Sequence, residues 1–275
     1  MKIFVTGGTG FIGSHFVMKC LAEGHSVRAL RRAGSKPRVQ LDKHPEWLEY
    51  PFEKLEEKDF DGCDVLVHLA AHSANVPYDS LENCLHWNVT IPLRMADRAV
   101  KSGIKRFIVA GSCFEYGSSG QRYDYIPTTA PLEPNQTYPT SKAAATIAWA
   151  GFAREKALKL SILRIFQVYG EGEAAGRLWP SILKAALDGD DYNMTLGEQV
   201  RDFINVKQVA QYFVDELKKS PQDGVPSIQN VGTGKPQTVA SFAKSIWKKY
   251  NATGKLNIGA IPYRNNEVMR FVPKI

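Results

Sequence analysis

The sequence has few cysteines, no long apolar run and no histidine after His86. The four cysteines are scattered, without a CxxC pair or a Cys/His cluster: Cys20, Cys63, Cys84 and Cys113. We therefore expect free thiols, a cytoplasmic location and no metal site. No apolar run approaches the roughly 20 residues that span a bilayer. The start "MKIFVTGG" leads into an apolar strand without a signal-peptide pattern, so neither membrane binding nor secretion is predicted.

The charge balance is basic but diffuse. Lys and Arg total 35 against 28 Asp and Glu, which gives a net charge of +7. These basic residues are spread along the chain, and no basic run is interleaved with aromatics. We favour a solvated basic surface that serves anionic small molecules, with nucleic-acid binding as the second interpretation. The hydrophobic content of 44% and charged content of 23% are typical of a globular protein.

Short apolar segments alternate with helical stretches over the first two thirds of the chain. The strand candidates are "KIFVTG", "SVRAL", "DVLVHLAA", "RFIVAGS" and "LSILRIFQVYG". Their continuous apolar character predicts a Rossmann-type α/β fold, a doubly wound parallel sheet buried on both faces. We expect residues 1–170 and 201–234 to form this domain. Residues 171–200 and 235–275, with shorter mixed segments, are expected to form a smaller substrate-binding lobe.

A glycine-rich loop follows the first strand and opens the first helix. In "TGGTGFIG" Gly7, Gly10 and Gly13 have the spacing G-x-x-G-x-x-G. Glycine allows the tight turn and lets a pyrophosphate approach the backbone and the helix N-terminus. The loop predicts dinucleotide binding, and a merely structural turn is the alternative.

The end of the second strand bears on which nicotinamide dinucleotide is bound. An acidic residue there binds the ribose 2′-hydroxyl, whereas arginine accommodates a 2′-phosphate. The segment "VRALRRAGSK" offers Arg31 and Arg32 and no carboxylate. We predict a preference for NADP(H) over NAD(H); the alternative is a pair of exposed arginines without a ligand.

The segment "YPTSK" places Tyr138 and Lys142 four residues apart, so on a helix they would share a face. That spacing alone also fits a solvated helix start. The motifs around it resemble the extended short-chain dehydrogenases/reductases, the NAD-dependent epimerase/dehydratase group that acts on nucleotide sugars. The resemblance covers nearly the whole chain and rests on "TGGTGFIG", "HLAA", Asn88 in "NVT", "GSCFEYG", "YPTSK", "LRIFQVYG" and "RDFINVKQVA".

The resemblance implies a catalytic trio. Tyr138 would be the general acid/base, Ser112 would hydrogen-bond the reacting oxygen, and Lys142 would hold the nicotinamide ribose and lower the pKa of the phenol. A nearby cation does favour the phenolate. A phenol tuned towards neutral pH suits proton donation to a carbonyl oxygen as hydride reaches the carbon.

The resemblance also implies two sets of binding residues. The cofactor set is Gly7, Gly10, Phe11, Ile12, Gly13, Arg31, Arg32, Leu69, Ala70, Ala71, Asn88, Tyr138, Lys142 and Ile165. The substrate set is Phe114, Gln167, Arg201 and Arg264. The two arginines resemble a pair that contacts a diphosphate, to which the guanidinium fork is suited. Ion pairing with Asp202 or Glu267 is the alternative.

Some positions near the cofactor depart from the family or carry no assigned chemistry. Gln167 stands where the family usually has Asn, which lengthens the amide's reach. The stretch "EYPFEKLE" lacks the family's usual adenine-binding Asp, so Phe52 or nearby backbone is expected to contact the adenine. His68 and His72 flank the cofactor wall and are interpreted as structural.

Further departures select among the family's reactions. The 4,6-dehydratases carry an Asp-Glu pair where this chain has Cys113 and Phe114, and Phe cannot transfer a proton. The epimerase-reductases of GDP-keto-sugars use a downstream His, and none follows His86. The 4-epimerases need only the Ser, Tyr and Lys, but their usual cofactor is NAD. We therefore predict an NADPH-dependent reductase of a nucleotide-linked 4-keto-(6-deoxy)hexose, with a 4-epimerase as the alternative.

Two further expectations concern partners. In the family the helix that carries Lys142 pairs with its copy across a dimer, so we expect a homodimer, with Trp149 and Phe152 on that helix. A non-catalytic relative that binds NADP(H) or RNA is the remaining alternative, although such relatives generally lack the complete Ser–Tyr–Lys set. The sequence leaves open the nucleotide, the sugar and the stereochemistry at C4.

Overall fold

The computed structural model describes residues 1–265 and 267–275. The strands are β1 (Lys2–Thr6), β2 (Ser26–Arg31), β3 (Glu46–Glu49), β4 (Val65–His68), β5 (Arg106–Ser112), β6 (Lys159–Ile165), β7 (Gln167–Tyr169), β8 (Tyr192–Met194), β9 (Val200–Arg201), β10 (Phe203–Asn205), β11 (Ser227–Val231), β12 (Gln237–Thr238), β13 (Leu256–Ile258) and β14 (Arg270–Phe271). The helices are α1 (Phe11–Ala22), α2 (Leu81–Leu85), α3 (Ile91–Lys101), α4 (Thr137–Glu155), α5 (Leu178–Asp188), α6 (Val206–Leu217) and α7 (Val239–Lys249). A single π-helical turn, His86–Thr90, joins α2 to α3.

Seven strands form one parallel sheet in the order β11-β6-β5-β4-β1-β2-β3. This confirms the predicted doubly wound Rossmann-type fold. The chain order reverses between β1 and β4, and the crevice at the carboxyl ends of such strands is where ligands bind in open α/β sheets. β3 is absent from the predicted strands because its two glutamates are exposed at the sheet edge, so it lacks an apolar run.

Helices cover both faces of the sheet. On one face Phe16 of α1 packs edge-to-face against Phe213 of α6, at 6.1 Å between ring centroids. On the other face α3 and α4 contribute Met95, Ala145 and Trp149 to a second core cluster. Both layers are continuous with the sheet because the strand side chains are apolar on both sides.

Helix α4 carries Trp149 on the side that faces the sheet. Trp149 is only 1% exposed and stacks on Phe107 and His68, so it belongs to the core of one chain. Ile147, 64% exposed, is the large apolar residue on the outer face of this helix. A helix that packs on a sheet must bury one stripe, and in α4 that stripe includes Trp149.

The C-terminal third both completes the sheet and builds separate structure beside it. α6 and β11 belong with the main sheet, as their packing on α1 and β6 shows. Ile182 of α5, Met194 of β8 and Phe242 of α7 form a smaller core cluster. Strand β9 pairs with β12 and β14, and β7 pairs with β10. In the described residues no helix combines the length and apolar character needed to cross a membrane.

Candidate active site

The glycine loop is shaped for a ligand that needs close backbone approach. Gly7 has φ +74°, and a Cβ added there would lie 2.5 Å from the backbone nitrogen of Ala70. A Cβ on Gly13 would lie 2.0 Å from the carbonyl oxygen of Gly7. Gly10 is the N-cap of α1 and supplies no side-chain cap, so the first N–H groups of the helix have no partner from that side chain. A pyrophosphate fits this cradle because such N–H groups bind anions.

The wall beside the loop is held by buried polar contacts. Leu69, Ala70 and Ala71 follow β4, whose last residue is His68. The Nδ1 atom of His68 lies 2.7 Å from Oγ1 of Thr6 on the neighbouring strand. Burial, and then the charge of Lys142, lower the pKa of His68 to about 3. The imidazole is therefore neutral, and its hydrogen bond with Thr6 links strands β4 and β1.

Asn88 lies behind this wall. Its Oδ1 accepts a hydrogen bond from the backbone N–H of His72 at 2.7 Å. Its Nδ2 donates to the carbonyl oxygen of His72 and to Oγ of Ser141, at 3.1 and 2.9 Å. Both N–H donors are used within the protein, so the amide ties the loop after β4 to α4. Direct contact of Asn88 with the cofactor stays a prediction.

The structure brings the predicted catalytic trio together. Ser112 ends β5, Tyr138 lies in the first turn of α4, and Lys142 follows one turn later, all three buried. The Nζ atom of Lys142 donates a hydrogen bond to the carbonyl oxygen of Ala110 at 2.7 Å. Pro139 follows Tyr138 in the first turn, where a missing N–H costs nothing.

The acid–base properties of Tyr138 differ from the prediction. Burial raises its pKa above the ordinary value, and the nearby Tyr78, Glu115 and Cys113 raise it further. The Ser112 hydroxyl opposes this shift, whereas Lys142 is not among its causes. Burial also lowers the pKa of Lys142. The phenol is therefore neutral and protonated, the form from which a proton can be donated.

Glu115 is a buried neighbour of the trio, and the sequence did not predict it as a site residue. Its Oε1 accepts a hydrogen bond from the backbone N–H of Ser112 at 2.7 Å. Its Oε2 accepts from Oγ1 of Thr146 and from Nε of Arg164, each at 2.8 Å. The fully buried carboxylate thereby joins β5, α4 and β6. The signal in the sequence is the capping pattern Ser-x-x-Glu at 112–115, which the structure forms.

The sequence also did not predict Tyr78 and Arg177 as site residues. The Tyr78 ring lies 5.5 Å from that of Tyr138, between centroids. Burial raises the pKa of Tyr78, and the charges of Arg177 and Arg264 oppose this shift. Burial raises the pKa of Cys113 to about 12, a shift that Arg201 and Arg177 oppose. The charge of Arg177 therefore acts on both Tyr78 and Cys113.

Of the two arginines predicted to bind the substrate, Arg201 is hydrogen-bonded within the protein and Arg264 is exposed. Arg201 donates to the carbonyl oxygen of Val268 at 2.6 Å and to Oε1 of Glu267 at 3.2 Å. The ion pair considered as its alternative role is therefore present with Glu267, while Asp202 instead accepts from the backbone of Thr233. Arg264 is exposed.

The other predicted substrate and cofactor residues line the same region. Ile165, 9% exposed, ends β6 at the carboxyl edge of the sheet, and Gln167 begins β7 two residues later. Phe114, 37% exposed, follows two residues after Ser112. Phe52 packs edge-on against His68 at 6.1 Å between centroids, close to the wall that would face the adenosine side.

The two arginines at the end of β2, Arg31 and Arg32, differ in their contacts and exposure. The Nε atom of Arg31 donates to Oε2 of Glu49 at 2.8 Å, and its guanidinium lies 5.0 Å from the centroid of Trp47. Glu49 also accepts from the backbone N–H of Gly34 at 3.1 Å. Arg32 is exposed. Glu49 on β3 could not be foreseen as a partner because it is far from Arg31 in sequence.

Comparison with known proteins places this geometry in a family. The chain is 28% identical to CDP-abequose synthase of Salmonella muenchen, over 98% of this chain and 87% of that enzyme. It is 26% identical to dTDP-6-deoxy-L-talose 4-dehydrogenase (NAD(+)) of Aggregatibacter actinomycetemcomitans, over 98% of both proteins. UDP-glucose 4-epimerase of Thermotoga maritima has a similar structure, with a TM-score of 0.85 and 25% identity over 100% of this chain and 90% of that one. The sequence profile of the NAD dependent epimerase/dehydratase family matches residues 3–232, so the chain belongs to that family.

Proposed function

We propose that the protein is an NADPH-dependent reductase that converts a nucleotide-linked 4-keto-6-deoxyhexose into its 4-hydroxy product. The observation that carries the proposal is a buried, protonated phenol, Tyr138, beside the Ser112 hydroxyl. Tyr138 is buried beside Ser112 and is protonated, because burial raises its pKa. Reduction of a ketone needs one proton at the oxygen and one hydride at the carbon, and Tyr138 is suited to supply the proton.

The neighbours of Tyr138 argue against dehydration. Elimination of water needs a further acid and base, and the nearest candidates are Cys113 and Glu115. Burial raises the pKa of Cys113 to about 12, so its thiol holds its proton at neutral pH. Both oxygens of Glu115 accept hydrogen bonds from Ser112, Thr146 and Arg164. Phe114, the residue between them, has no titratable group.

The name of one relative supports chemistry at C4 of a deoxy sugar, and the names of both relatives contain a nucleotide-linked sugar. One is a 4-dehydrogenase of a dTDP-linked 6-deoxyhexose, and the other is a synthase of CDP-abequose. A dehydrogenase that acts at C4 catalyses, in reverse, the reduction of a 4-ketone. We infer that this chain also takes a nucleotide-linked sugar.

The dinucleotide fits the residues present. A Cβ on Gly7 or Gly13 would clash with the backbone, so the tight loop depends on these glycines, and the N-terminus of α1 behind it would bind the pyrophosphate. When bound, NADPH supplies the hydride. Lys142 would move from the Ala110 carbonyl to the ribose, Ser112 would orient the carbonyl oxygen of the sugar, and Tyr138 would give it a proton.

We propose that Arg177, Arg201 and Arg264 bind the substrate diphosphate. Arg177 and Arg264 both act on the pKa of Tyr78, and Arg177 and Arg201 both act on that of Cys113. Guanidinium groups bond phosphate oxygens in pairs. This arrangement would place the hexose between the diphosphate and Tyr138.

The test is to mix the enzyme, NADPH and a panel of nucleotide-linked 4-keto-6-deoxyhexoses, and to follow the absorbance of reduced nicotinamide. We expect NADPH loss that matches the appearance of a 4-hydroxy sugar, one for one. Interconversion of two 4-hydroxy sugars without added cofactor, together with no NADPH loss on any keto sugar, would identify a 4-epimerase instead.

A further inference from the structure

Tyr78 is a second phenol beside Tyr138, with its ring half-buried. The two ring centroids lie 5.5 Å apart, and the ring planes are inclined by 35°. The Tyr78 hydroxyl forms no hydrogen bond within the described part of the chain, and it is not shielded from solvent. A buried tyrosine usually pairs its hydroxyl, whereas ring packing alone needs only Phe. The partner of this hydroxyl is therefore water or a bound molecule.

The segment that carries Tyr78 is tied directly to the helix that carries Tyr138. The Thr137 hydroxyl donates a hydrogen bond to the carbonyl oxygen of Asp79 at 2.8 Å. Thr137 precedes Tyr138 in the chain and Asp79 follows Tyr78, so this bond lies beside the pair of rings. It fixes the two phenols relative to each other, as a binding site for one ligand requires.

Asp79 also holds the segment around Tyr78 through its other polar atoms. Its backbone N–H donates to Oγ of Ser73 at 2.7 Å, and its Oδ2 lies 2.8 Å from Nε2 of His72. Its Oδ1 accepts a hydrogen bond from the backbone N–H of Ser80 at 2.7 Å. The turn before α2 is therefore held at several points, and Tyr78 is presented from a fixed backbone.

The position of Tyr78 suits contact with the sugar at the atoms next to the reacting carbon. In the proposed reaction Tyr138 meets the oxygen on C4, and Tyr78 packs on Tyr138. A hexose ring is similar in size to a phenol ring, so the substituents on the carbons next to C4 come within reach of Tyr78. In a 6-deoxyhexose C5 carries a methyl group, so the polar substituent next to C4 is the 3-hydroxyl.

We propose that Tyr78 binds the 3-hydroxyl of the nucleotide-linked hexose and thereby selects sugars that carry this group. This inference rests on the proposed function for its ligand class and for the position of the ketone. A phenol hydroxyl both donates and accepts, so it can pair with a sugar hydroxyl in either direction. A site built to hydrogen-bond a substrate hydroxyl rejects an analogue that lacks it.

The experiment compares wild type and Tyr78→Phe, both loaded with NADP⁺, by calorimetric titration. UDP-glucose, dTDP-glucose, CDP-glucose and GDP-mannose are titrated first into wild type. The one that binds most tightly is then compared with its 3-deoxy analogue and with its nucleoside diphosphate. We expect wild type to bind the hexose about tenfold more tightly than the 3-deoxy analogue, the effect of one hydrogen bond. Tyr78→Phe should bind these two ligands equally, with the affinity that wild type has for the 3-deoxy analogue, and its affinity for the diphosphate should not change.

Tyr250→Phe is the matched control, since Tyr250 is also half-buried but lies at the end of α7. It should bind all three ligands as wild type does. An equal loss for hexose, analogue and diphosphate in Tyr78→Phe would overturn the inference, because Tyr78 would then act only on the shape of the cleft. Discrimination against the 3-deoxy analogue that survives in Tyr78→Phe would overturn it as well. So would its absence in wild type, or a wild type that binds none of the four nucleotide hexoses.

Tyr78→Phe removes an oxygen atom that has no hydrogen-bond partner in the described residues, so its unfolding midpoint should equal that of wild type. The comparison of the hexose with its 3-deoxy analogue in wild type needs no variant. Failure of the proposed reaction is seen separately, as discrimination at C3 without NADPH oxidation on any keto sugar. NADPH oxidation without discrimination at C3 would overturn only the role of Tyr78.

Discussion

At the scale of the residue, burial dominates the chemistry of Tyr138. Its hydroxyl loses solvation, and the ammonium of Lys142 donates to Ala110 rather than to the phenol. The resemblance implied a phenol with a lowered pKa, which requires the cation to face it. The structure instead holds the proton on Tyr138, so the first event for which it is prepared is proton donation.

Tyr138→Phe should therefore keep cofactor binding and remove most turnover. Phe keeps the ring packing and loses only the hydroxyl, and general acid catalysis contributes about 10²–10⁴-fold. The measurement is kcat with the best keto sugar, beside a fluorescence titration with NADPH. A variant that keeps near-wild-type kcat would show that another group supplies the proton.

Cofactor choice is also a residue-scale question, and we propose that Arg32 decides it. Arg31 is already paired with Glu49, whereas Arg32 is exposed. A charge-assisted hydrogen bond contributes about 1.5–3 kcal/mol, so Arg32→Ala should reduce kcat/KM for NADPH about tenfold or more. Its kcat/KM for NADH should not change.

Arg31→Ala is the matched variant and should have the smaller effect on NADPH. Glu49→Gln releases Arg31 and should improve kcat/KM for NADPH. Equal kcat/KM for NADPH and NADH in wild type would refute the preference itself.

Glu173 should make the stability depend on pH. Burial raises its pKa to about 6 from 4.5. A carboxyl whose pKa is raised in the folded state binds its proton more tightly there, so folding is favoured as pH falls from about 6 towards 4.5. Above pH 6 Glu173 is ionised in the folded protein, and its burial then lowers the free energy of unfolding by on the order of 2 kcal/mol.

Glu173→Gln should therefore raise the free energy of unfolding at pH 8, and this gain should shrink towards pH 4.5. Urea unfolding at the two pH values measures it. A gain of equal size at both would mean that ionisation of Glu173 is not the cause.

At the scale of the element, the Glu115–Arg164 pair fixes how β5, β6 and α4 meet. Both side chains are buried, and Oε2 of Glu115 also accepts from Thr146. Glu115→Ala should cost about 3–5 kcal/mol, because it leaves the charge of Arg164 uncompensated in the interior. The measurement is the free energy of unfolding in urea.

Thr146→Val is the control, since it removes one neutral donor and should cost about 1 kcal/mol. Similar losses in the two variants would show that the ion pair is not what holds these elements together.

The elements differ in how far the sequence could predict them. The glycine loop and α4 with Tyr138 and Lys142 were predictable because their signals are local, a turn or one helical face. Edge strand β3 was missed because its apolar residues are few. The hydrogen bonds of Arg31 with Glu49 and of Glu115 with Arg164, and the approach of Tyr78 to Tyr138, join residues distant in sequence. Such contacts form only when the whole sheet is packed, so no local sequence pattern predicts them.

At the scale of the whole molecule, we propose a homodimer through α4 and its neighbours. The apolar side chains exposed there are Ile147, Leu81 and Trp87, and α2 and the following turn pack against α4. Trp149 of the same helix lies in the core and is not exposed for such a contact. Ile147→Glu should give a monomer in analytical ultracentrifugation, since it places a charge in an apolar interface.

Lys244→Glu, on α7 and away from this face, is the control and should not change the association state. A wild-type protein that sediments as a monomer at micromolar concentration would refute the proposal.

The place of β11 in the sheet has a consequence for biosynthesis. This strand pairs with β6 at the end of the sheet, yet its residues, Ser227–Val231, come after the segments that build α5 and β8. Tyr116 and Arg164, at the floor of the active site, also depend on it, since Asn230 accepts a hydrogen bond from the Tyr116 hydroxyl at 2.7 Å. A nascent chain cannot complete this floor until Val231, the last residue of β11, has left the ribosome. Such late closure by contacts of long sequence separation slows folding and makes the growing chain a client for chaperones.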